Sequence, residues 1–399
     1  MKTDPFEQAL RLRETLLKDN KILVVDFSDT LQGKDTSRVV ELMPNIHSGK
    51  YLFRTKVNVK EIDPVASAEY GTDFFDISTM SDKEIEDFIK MQEFDFPLWF
   101  KHINGFHIRN IMDYNPPFIL QVAGCNFHDS QGIGGCTYCF VDDESNDGKP
   151  SRKKEYLSVN DTVDSFVIAR SRIRKFYKEY GLSLMPSVLR MSGGEPTLAL
   201  DWALNLWRII SKMDFNVVGQ IDSNLSTGHL IERFEETGTY EKNILEKLAE
   251  HPIKMLAALK GTDELNLQEN AQSKTTLEEQ LYSLKKLILA GFDVFIQLYN
   301  PNPDSLESFL TRMDKEIEDF SLKVHIGPLK MYGPNRARLQ KIAIGKGLNP
   351  EQFIERTASQ WKDNYERSCE IIDRYIRKTR GGIGYKDTVR ADVELKVKR

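Results

Sequence analysis

Between residues 116 and 330, short runs of β-branched and aromatic residues alternate with stretches whose apolar positions recur every three or four residues. Phe118–Ala123, Ser187–Met191, Val217–Ile221, Ile253–Leu259, Val294–Tyr299 and Leu322–Ile326 read as strands. Successive starts lie roughly thirty to forty residues apart, the length of a βα unit, but the first interval is nearer seventy. An additional segment therefore follows the first strand. Parallel strands joined by helical crossovers build a doubly wound sheet or a complete or partial barrel, and either places ligands at the carboxyl ends of its strands.

The crossover helices carry their own punctuation. Ser158 and Asp161 form a capping box ahead of Val163, Phe166, Val167, Arg170, Ile173 and Tyr177, with a stop at Gly181. Thr275 with Glu278 opens a second helix, through Leu277, Leu281, Leu284 and Ile288 to Gly291. Asn349 and Pro350 read as N-cap and N1 of a long final helix carrying Phe353, Ile354, Trp361, Tyr365, Cys369 and Ile372, placed to cover the sheet. Residues 1–115 lack this regularity. A helix over Phe6–Leu17, strands Ile22–Phe27 and Tyr51–Val59 and a helix Lys83–Met91 suggest an N-terminal extension or small α+β domain. The expected organisation is 1–115, a core of 116–330, and 331–399 as C-terminal helix and basic tail.

Composition narrows the class. The chain has 399 residues, 40% hydrophobic and 29% charged, which excludes disorder and fibre. No run of apolar residues is long enough for a membrane span, and the first twenty residues have no apolar signal core, so no membrane partner and a cytoplasmic location are expected. Fifty-five basic and 60 acidic residues leave a net charge of −5, giving no general electrostatic case for nucleic acid. Locally, Arg377, Lys378, Arg380, Lys386, Arg390 and Lys396–Arg399 form a basic tail, read first as solvated and alternatively as a phosphate contact.

Four cysteines are too few for a disulfide scaffold, yet Cys125, Cys136 and Cys139 lie within fifteen positions at the end of the first strand. Thiolates are soft ligands for iron–sulfur clusters, Zn²⁺ or Cu(I), and a C-x2-C pair grips one cluster or metal. A structural zinc would need a fourth ligand, with His128 the nearby choice; a cubane cluster held by three cysteines leaves one iron open. Cys369, far away on a helix, reads as a core thiol. A second motif, Met191-Ser192-Gly193-Gly194-Glu195-Pro196-Thr197, follows the second strand. Its glycines allow close approach to the backbone, Glu195 offers a carboxylate to an ammonium group, and Pro196 starts a helix.

Together, in this order and on these elements, the two motifs resemble the radical S-adenosylmethionine superfamily. The resemblance covers about residues 116–330. It implies a partial (β/α)6 barrel and a [4Fe-4S] cluster on Cys125, Cys136 and Cys139, with the aromatic Tyr138 before the last cysteine. It also implies that Gly193, Gly194 and Glu195 bind the amino group of S-adenosylmethionine. The implied chemistry is reductive cleavage of that cofactor to methionine and a 5′-deoxyadenosyl radical that takes hydrogen from a substrate, with flavodoxin or ferredoxin as electron donor. The chain departs from the family's usual C-x3-C-x2-C in one respect: ten residues separate the first two cysteines. His128, Asp129 and Gln131 in that loop read as a surface bulge.

Strand register extends the resemblance. Asp222, Ser223 and Asn224 match a cofactor-contacting segment of glycyl-radical-enzyme activases, and Lys260 and Lys330 sit where cofactor-contacting side chains follow the fourth and sixth strands. Gln297, Tyr299 and His325 are candidates to face the interior. The absence of a second cysteine group argues against an auxiliary cluster. Three functions fit: an enzyme acting on a small molecule or modified base, an activase or modifier of a polypeptide, or a zinc-stabilised RNA-binding protein.

Overall fold

The computed structural model describes residues 4–25, 30–32, 40–44, 51–56, 102–103, 106–107, 118–128, 135–179, 188–213, 217–385 and 393–398. The helix expected over 83–91 lies outside them, as do Asp129, Gln131, Lys386, Arg390 and Arg399.

The chain starts with α1 (Pro5–Leu16), whose first N–H groups, on Phe6 and Glu7, donate to the Asp4 carboxylate. Strand β1 (Lys21–Val25) follows, then a hairpin of β2 (Val40–Pro44) and β3 (Tyr51–Lys56). The regular part begins at β4 (Phe118–Val122) and continues through β5 (Lys154–Leu157), α2 (Val159–Glu179), β6 (Val188–Gly193), α3 (Leu200–Ile210), β7 (Val218–Ser223) and α4 (Gly228–Glu236). It then runs through β8 (Ile253–Leu259), α5 (Glu264–Asn270), α6 (Leu277–Leu289), β9 (Asp293–Tyr299), α7 (Pro303–Glu316), β10 (Val324–Gly327), α8 (Gly333–Gly345) and α9 (Pro350–Thr379).

Strands β4, β6, β7, β8, β9 and β10 lie side by side in that order, all parallel, as the spacing of the apolar runs requires. The fold is mixed α/β with helices connecting a parallel sheet. The long first interval is explained by β5, which the cysteine segment precedes and which pairs antiparallel with β1. Strands β1 and β3 also pair antiparallel with β4, so the N-terminal strands cover what would otherwise be the sheet's first edge. At the last edge, the Ile326 N–H donates to the Tyr385 hydroxyl at 2.7 Å.

Strand β8 is buried along its whole length, the mark of a strand covered on both faces. Leu256, Ala258 and Lys260 line an internal cavity, and the intervening Met255, Ala257 and Leu259 are fully enclosed on the other face. Each such Leu or Met removes enough apolar surface to contribute about 1.5–3 kcal/mol.

Helix ends follow the side chains that cap them, with two corrections. Ser158 and Asp161 do form a reciprocal box, and Asn349 accepts from the Gln352 N–H ahead of α9. The cap of α6 is Thr276, one residue later than expected, with its hydroxyl accepting from Glu279 N–H. Residues Phe320–Lys323 form a helical turn, so the sixth strand starts at Val324 and not at Leu322. Where they are described, the basic C-terminal residues Arg377, Lys378, Lys396 and Lys398 are exposed, as expected, but the segment is tethered. Arg377 pairs with Asp373, Arg380 with Asp314 and Asp319, and Lys396–Val397 pairs as a short strand with Ile317–Glu318. No described helix is long and apolar enough to cross a membrane.

Candidate functional site

A cavity of about 210 Å³ opens at the carboxyl ends of the six parallel strands. It gathers residues more than 200 positions apart: Cys125, Cys136, Tyr138 and Cys139 from the cysteine segment, Ser192–Gly194 after β6, Asp222–Asn224 after β7, Lys260 after β8, Tyr299 from β9 and Lys330 after β10.

The cysteine segment is pinned by backbone hydrogen bonds on both sides. Cys125 N–H donates to Asn146 O at 2.8 Å, and Thr137 N–H donates to Asn270 O at 2.8 Å. Side-chain amides approach two of the sulfurs: Asn224 Nδ2 lies 3.8 Å from Cys125 Sγ, and Asn146 Nδ2 3.8 Å from Cys139 Sγ. Burial and the neighbouring Cys136 and Cys139 push the Cys125 thiol up to about 12, and burial likewise raises Cys136. Thiols so placed resist forming adjacent anions, and a cationic centre bound between them removes that obstacle. Among the described residues no three His, Cys, Asp or Glu side chains converge on one point to hold a single metal ion.

The Gly-Gly-Glu-Pro segment is built differently from its reading as a ligand approach alone. Gly193 sits at φ +105°, and a Cβ there would stand 2.6 Å from Gln121 Cγ. A Cβ on Gly194 would stand 1.9 Å from Gly124 O. Both glycines are thus demanded by the chain's own crossing of β4 and β6 ends, sealed by Gly194 N–H to Val122 O and Glu195 N–H to Gly124 O, each at 2.9 Å. Both also line the cavity. Glu195 is wholly buried and is not among the lining residues. Its carboxylate accepts from Asn224 N–H at 2.7 Å and from the Thr197 hydroxyl at 2.5 Å. Burial pushes its carboxyl up, against those hydrogen bonds.

Asn224 sits at the junction. Its side chain donates to Asn126 Oδ1 at 2.8 Å and accepts from Ser226, while its carbonyl accepts from Gln280 Nε2 at 2.6 Å. Gln280, fully buried on α6, also accepts from Lys260 N–H at 3.0 Å, so one amide ties the ends of β7 and β8. Ser223 Oγ accepts from the Leu225 N–H. Asp222 faces inward but is gripped by Arg190 on two nitrogens, at 2.9 and 2.6 Å, and by Gln220.

Lys260 is 7% exposed, and among the described residues its ammonium has neither hydrogen bond nor ion pair. It lies over two aromatic faces, 4.8 Å from the Tyr299 ring centroid and 5.7 Å from that of Tyr138. Those rings stack on each other at 5.4 Å, and Trp361 of α9 meets Tyr138 edge-on. Deeper in, the Tyr299 hydroxyl donates to Gln297 Oε1 at 2.7 Å, and the Gln121 and Gln32 amides pair reciprocally at 3.0 Å. Gln297 and Tyr299 line the cavity, whereas His325, on the same face of the adjacent strand, is buried away from it. Lys330 is exposed at the rim. His128 is buried with Nε2 3.6 Å from Asp143 and does not line the cavity. Cys369 is half-buried on α9, away from the other thiols.

Arg190, Gln280, Asn270, Asn335 and Arg338 escaped the sequence reading. The last two offered a signal, since Asn335, Arg338, Leu339 and Ile342 share one helical stripe, and the stripe is the buried one.

No protein-family model and no curated protein matches the chain. It is similar to solved structures of the cobalamin-dependent S-adenosylmethionine radical enzyme OxsB. With aqua-cobalamin bound, that enzyme is 14% identical over 58% of this chain and 36% of its own, with a TM-score of 0.40. With aqua-cobalamin and S-adenosylmethionine bound, the figures are 14%, 60%, 37% and 0.41. The chain spans little more than a third of the length of these structures, and a likeness at this level assigns no activity.

Proposed function

We propose that the chain is a radical S-adenosylmethionine enzyme whose core, residues 116–330, is a partial (β/α)6 barrel closed by the N-terminal strands and the C-terminal helices. The observation that carries the reading is the meeting of Cys125, Cys136, Cys139 and the Ser192–Gly194 backbone in one cavity at the carboxyl ends of the parallel strands. A thiolate ligates one iron of a cluster, so three thiols set around a wall suit three irons of a [4Fe-4S] centre and leave the fourth open. When bound, the cluster and S-adenosylmethionine supply reductive cleavage to methionine and a 5′-deoxyadenosyl radical that abstracts hydrogen from substrate.

The chain's own part is binding, orientation and exclusion of water. Cys125, Cys136 and Cys139 hold the cluster. The backbone of Gly193 and Gly194 receives the cofactor's amino group, with Glu195 fixing that backbone against Asn224 from behind. Lys260, a buried cation without a counter-ion among the described residues, receives the cofactor carboxylate, and Ser223, Asn224 and Lys330 complete the wall. Tyr138 and Tyr299 shield the site, and Asp222 with Arg190 and Gln297 forms the floor that faces the substrate. The substrate favoured is a small molecule or modified base, with the Gln32–Gln121 amide pair among the groups lining the cavity. A one-electron donor of the flavodoxin or ferredoxin type completes the cycle.

The test is anaerobic reconstitution with iron and sulfide, then dithionite and S-adenosylmethionine. The reading predicts 5′-deoxyadenosine and methionine in equal amounts, lost in Cys139→Ala. Intact S-adenosylmethionine with a fully loaded cluster would overturn it.

A further inference from the structure

Helix α8 follows the last parallel strand, and its role in the site is shown by two side chains at i and i+3. Asn335, fully buried, donates through Nδ2 to Tyr138 O at 3.3 Å and to Lys330 O at 2.9 Å. Arg338, 1% exposed, donates through Nη1 to Cys136 O at 3.2 Å and Cys139 O at 2.8 Å, and through Nη2 to Val141 O at 3.2 Å. Three carbonyls of the C-x2-C segment, and that of Val141 just beyond it, are therefore held by one helix face.

The guanidinium also binds Asp143 Oδ1 at 2.7 Å, and Lys341, one turn on, binds Asp143 Oδ2 at 2.8 Å. Although burial opposes it, the nearby His128 imidazole, the Arg338 charge and the hydrogen bonds from Arg338 and Lys341 keep the Asp143 carboxyl far below the carboxylate range. Two cations and one carboxylate leave a net charge of +1 behind the segment that carries two of the three thiols.

We propose that Arg338 is a positioning residue with an electrostatic function: it fixes the Cys136–Cys139 segment through its carbonyls, and the positive charge of the Arg338–Asp143–Lys341 group raises the reduction potential of the cluster those cysteines hold. The proposal rests on the cofactor reading above. Reducing a cluster adds negative charge, so a buried cation beside its ligands stabilises the reduced form. Arg suits the place because its planar fork reaches several carbonyls at once, which a lysine ammonium cannot do with the same geometry.

Potentiometric titration of the reconstituted cluster, followed by electron paramagnetic resonance of the reduced state, separates charge from anchoring. Arg338→Gln is expected to shift the midpoint potential to a more negative value and to release iron to a chelator several-fold faster than wild type. Arg338→Lys is expected to keep the potential close to wild type while still losing iron faster. Lys341→Gln, at a half-exposed position, brings the group to neutrality without touching a carbonyl, and it is expected to shift the potential negative at an unchanged rate of iron loss. If Arg338→Gln does not fold, the opposed expectations for Arg338→Lys and Lys341→Gln still decide. A loaded cluster whose potential is unmoved by Lys341→Gln or Arg338→Gln overturns the electrostatic role. A wild-type chain that takes up no iron would instead overturn the cofactor reading itself.

Discussion

Two lysines on strand β8 and its extension, Lys254 and Lys260, are six residues apart and point into the same interior, yet they are treated oppositely. Lys254 is 1% exposed and stands 3.3 Å from Asp293 Oδ2. Lys323 stands 3.2 Å from the other oxygen of that carboxylate and donates to Val393 O at 2.7 Å. Although burial opposes it, the two lysines keep the Asp293 carboxyl below its ordinary range. At that end of the sheet two buried lysines share one carboxylate. At the other end Lys260 has, among the described residues, only ring faces, beside three thiols and a cavity. A buried cation without an anion costs stability, which is why Lys260 carries the cofactor-carboxylate role in the proposed function.

The largest expected effect lies at the open end. Cys136→Ala or Cys139→Ala should reduce bound iron and 5′-deoxyadenosine to background while the melting temperature of the metal-free chain changes little; Cys369→Ala should retain both. Next comes the end with the paired lysines. Asp293→Ala leaves two buried lysines facing each other and should cost about 3 kcal/mol in denaturant unfolding, with no change in cofactor affinity per folded molecule.

Lys260→Met reverses that pattern. It should leave stability equal or higher, and calorimetry should show S-adenosylmethionine binding weakened by about ten- to a hundredfold, the loss of one charge-assisted hydrogen bond of about 1.5–3 kcal/mol. Equal destabilisation by Lys260→Met and Asp293→Ala would erase the distinction between the two ends.

The smallest change per step is a pH dependence, spread over several pH units. His325 is 1% exposed, its Nε2 has no partner, and burial pushes its pKa from 6.5 down to about 3. Between those values the unfolded chain takes a proton that the folded chain refuses. Stability should therefore fall as pH drops from about 6.5 towards 3, by at most about 1.4 kcal/mol per unit. His325→Gln should flatten that limb of the curve, and an identical slope in the variant would remove His325 as its source.

The sheet was legible because its strands are buried on both faces and so read as continuous apolar runs at βα spacing; all six appear in the expected order. Gln297 and Tyr299 do line the cavity, but the alternation along β9 left their face open, since period two assigns one only once the register is known. Glycines 193 and 194 were legible as a close approach, but not which partner approaches, since the contact with Gly124 arises only when β4 and β6 lie side by side. Arg338 and Asn335 bind carbonyls about 200 residues earlier in the chain, and no local pattern records such a pairing. The cap at Thr276 instead of Thr275 is the ordinary ambiguity of adjacent threonines.

The central claim is that Cys125, Cys136 and Cys139 hold a redox cluster at the open end. Metal and sulfide analysis of protein purified without oxygen tests it most directly, paired with electron paramagnetic resonance after reduction. The account predicts about four irons and four sulfides per chain, a signal on reduction, and loss of both in Cys136→Ala. One zinc per chain, with no iron, no sulfide and no signal, would contradict it.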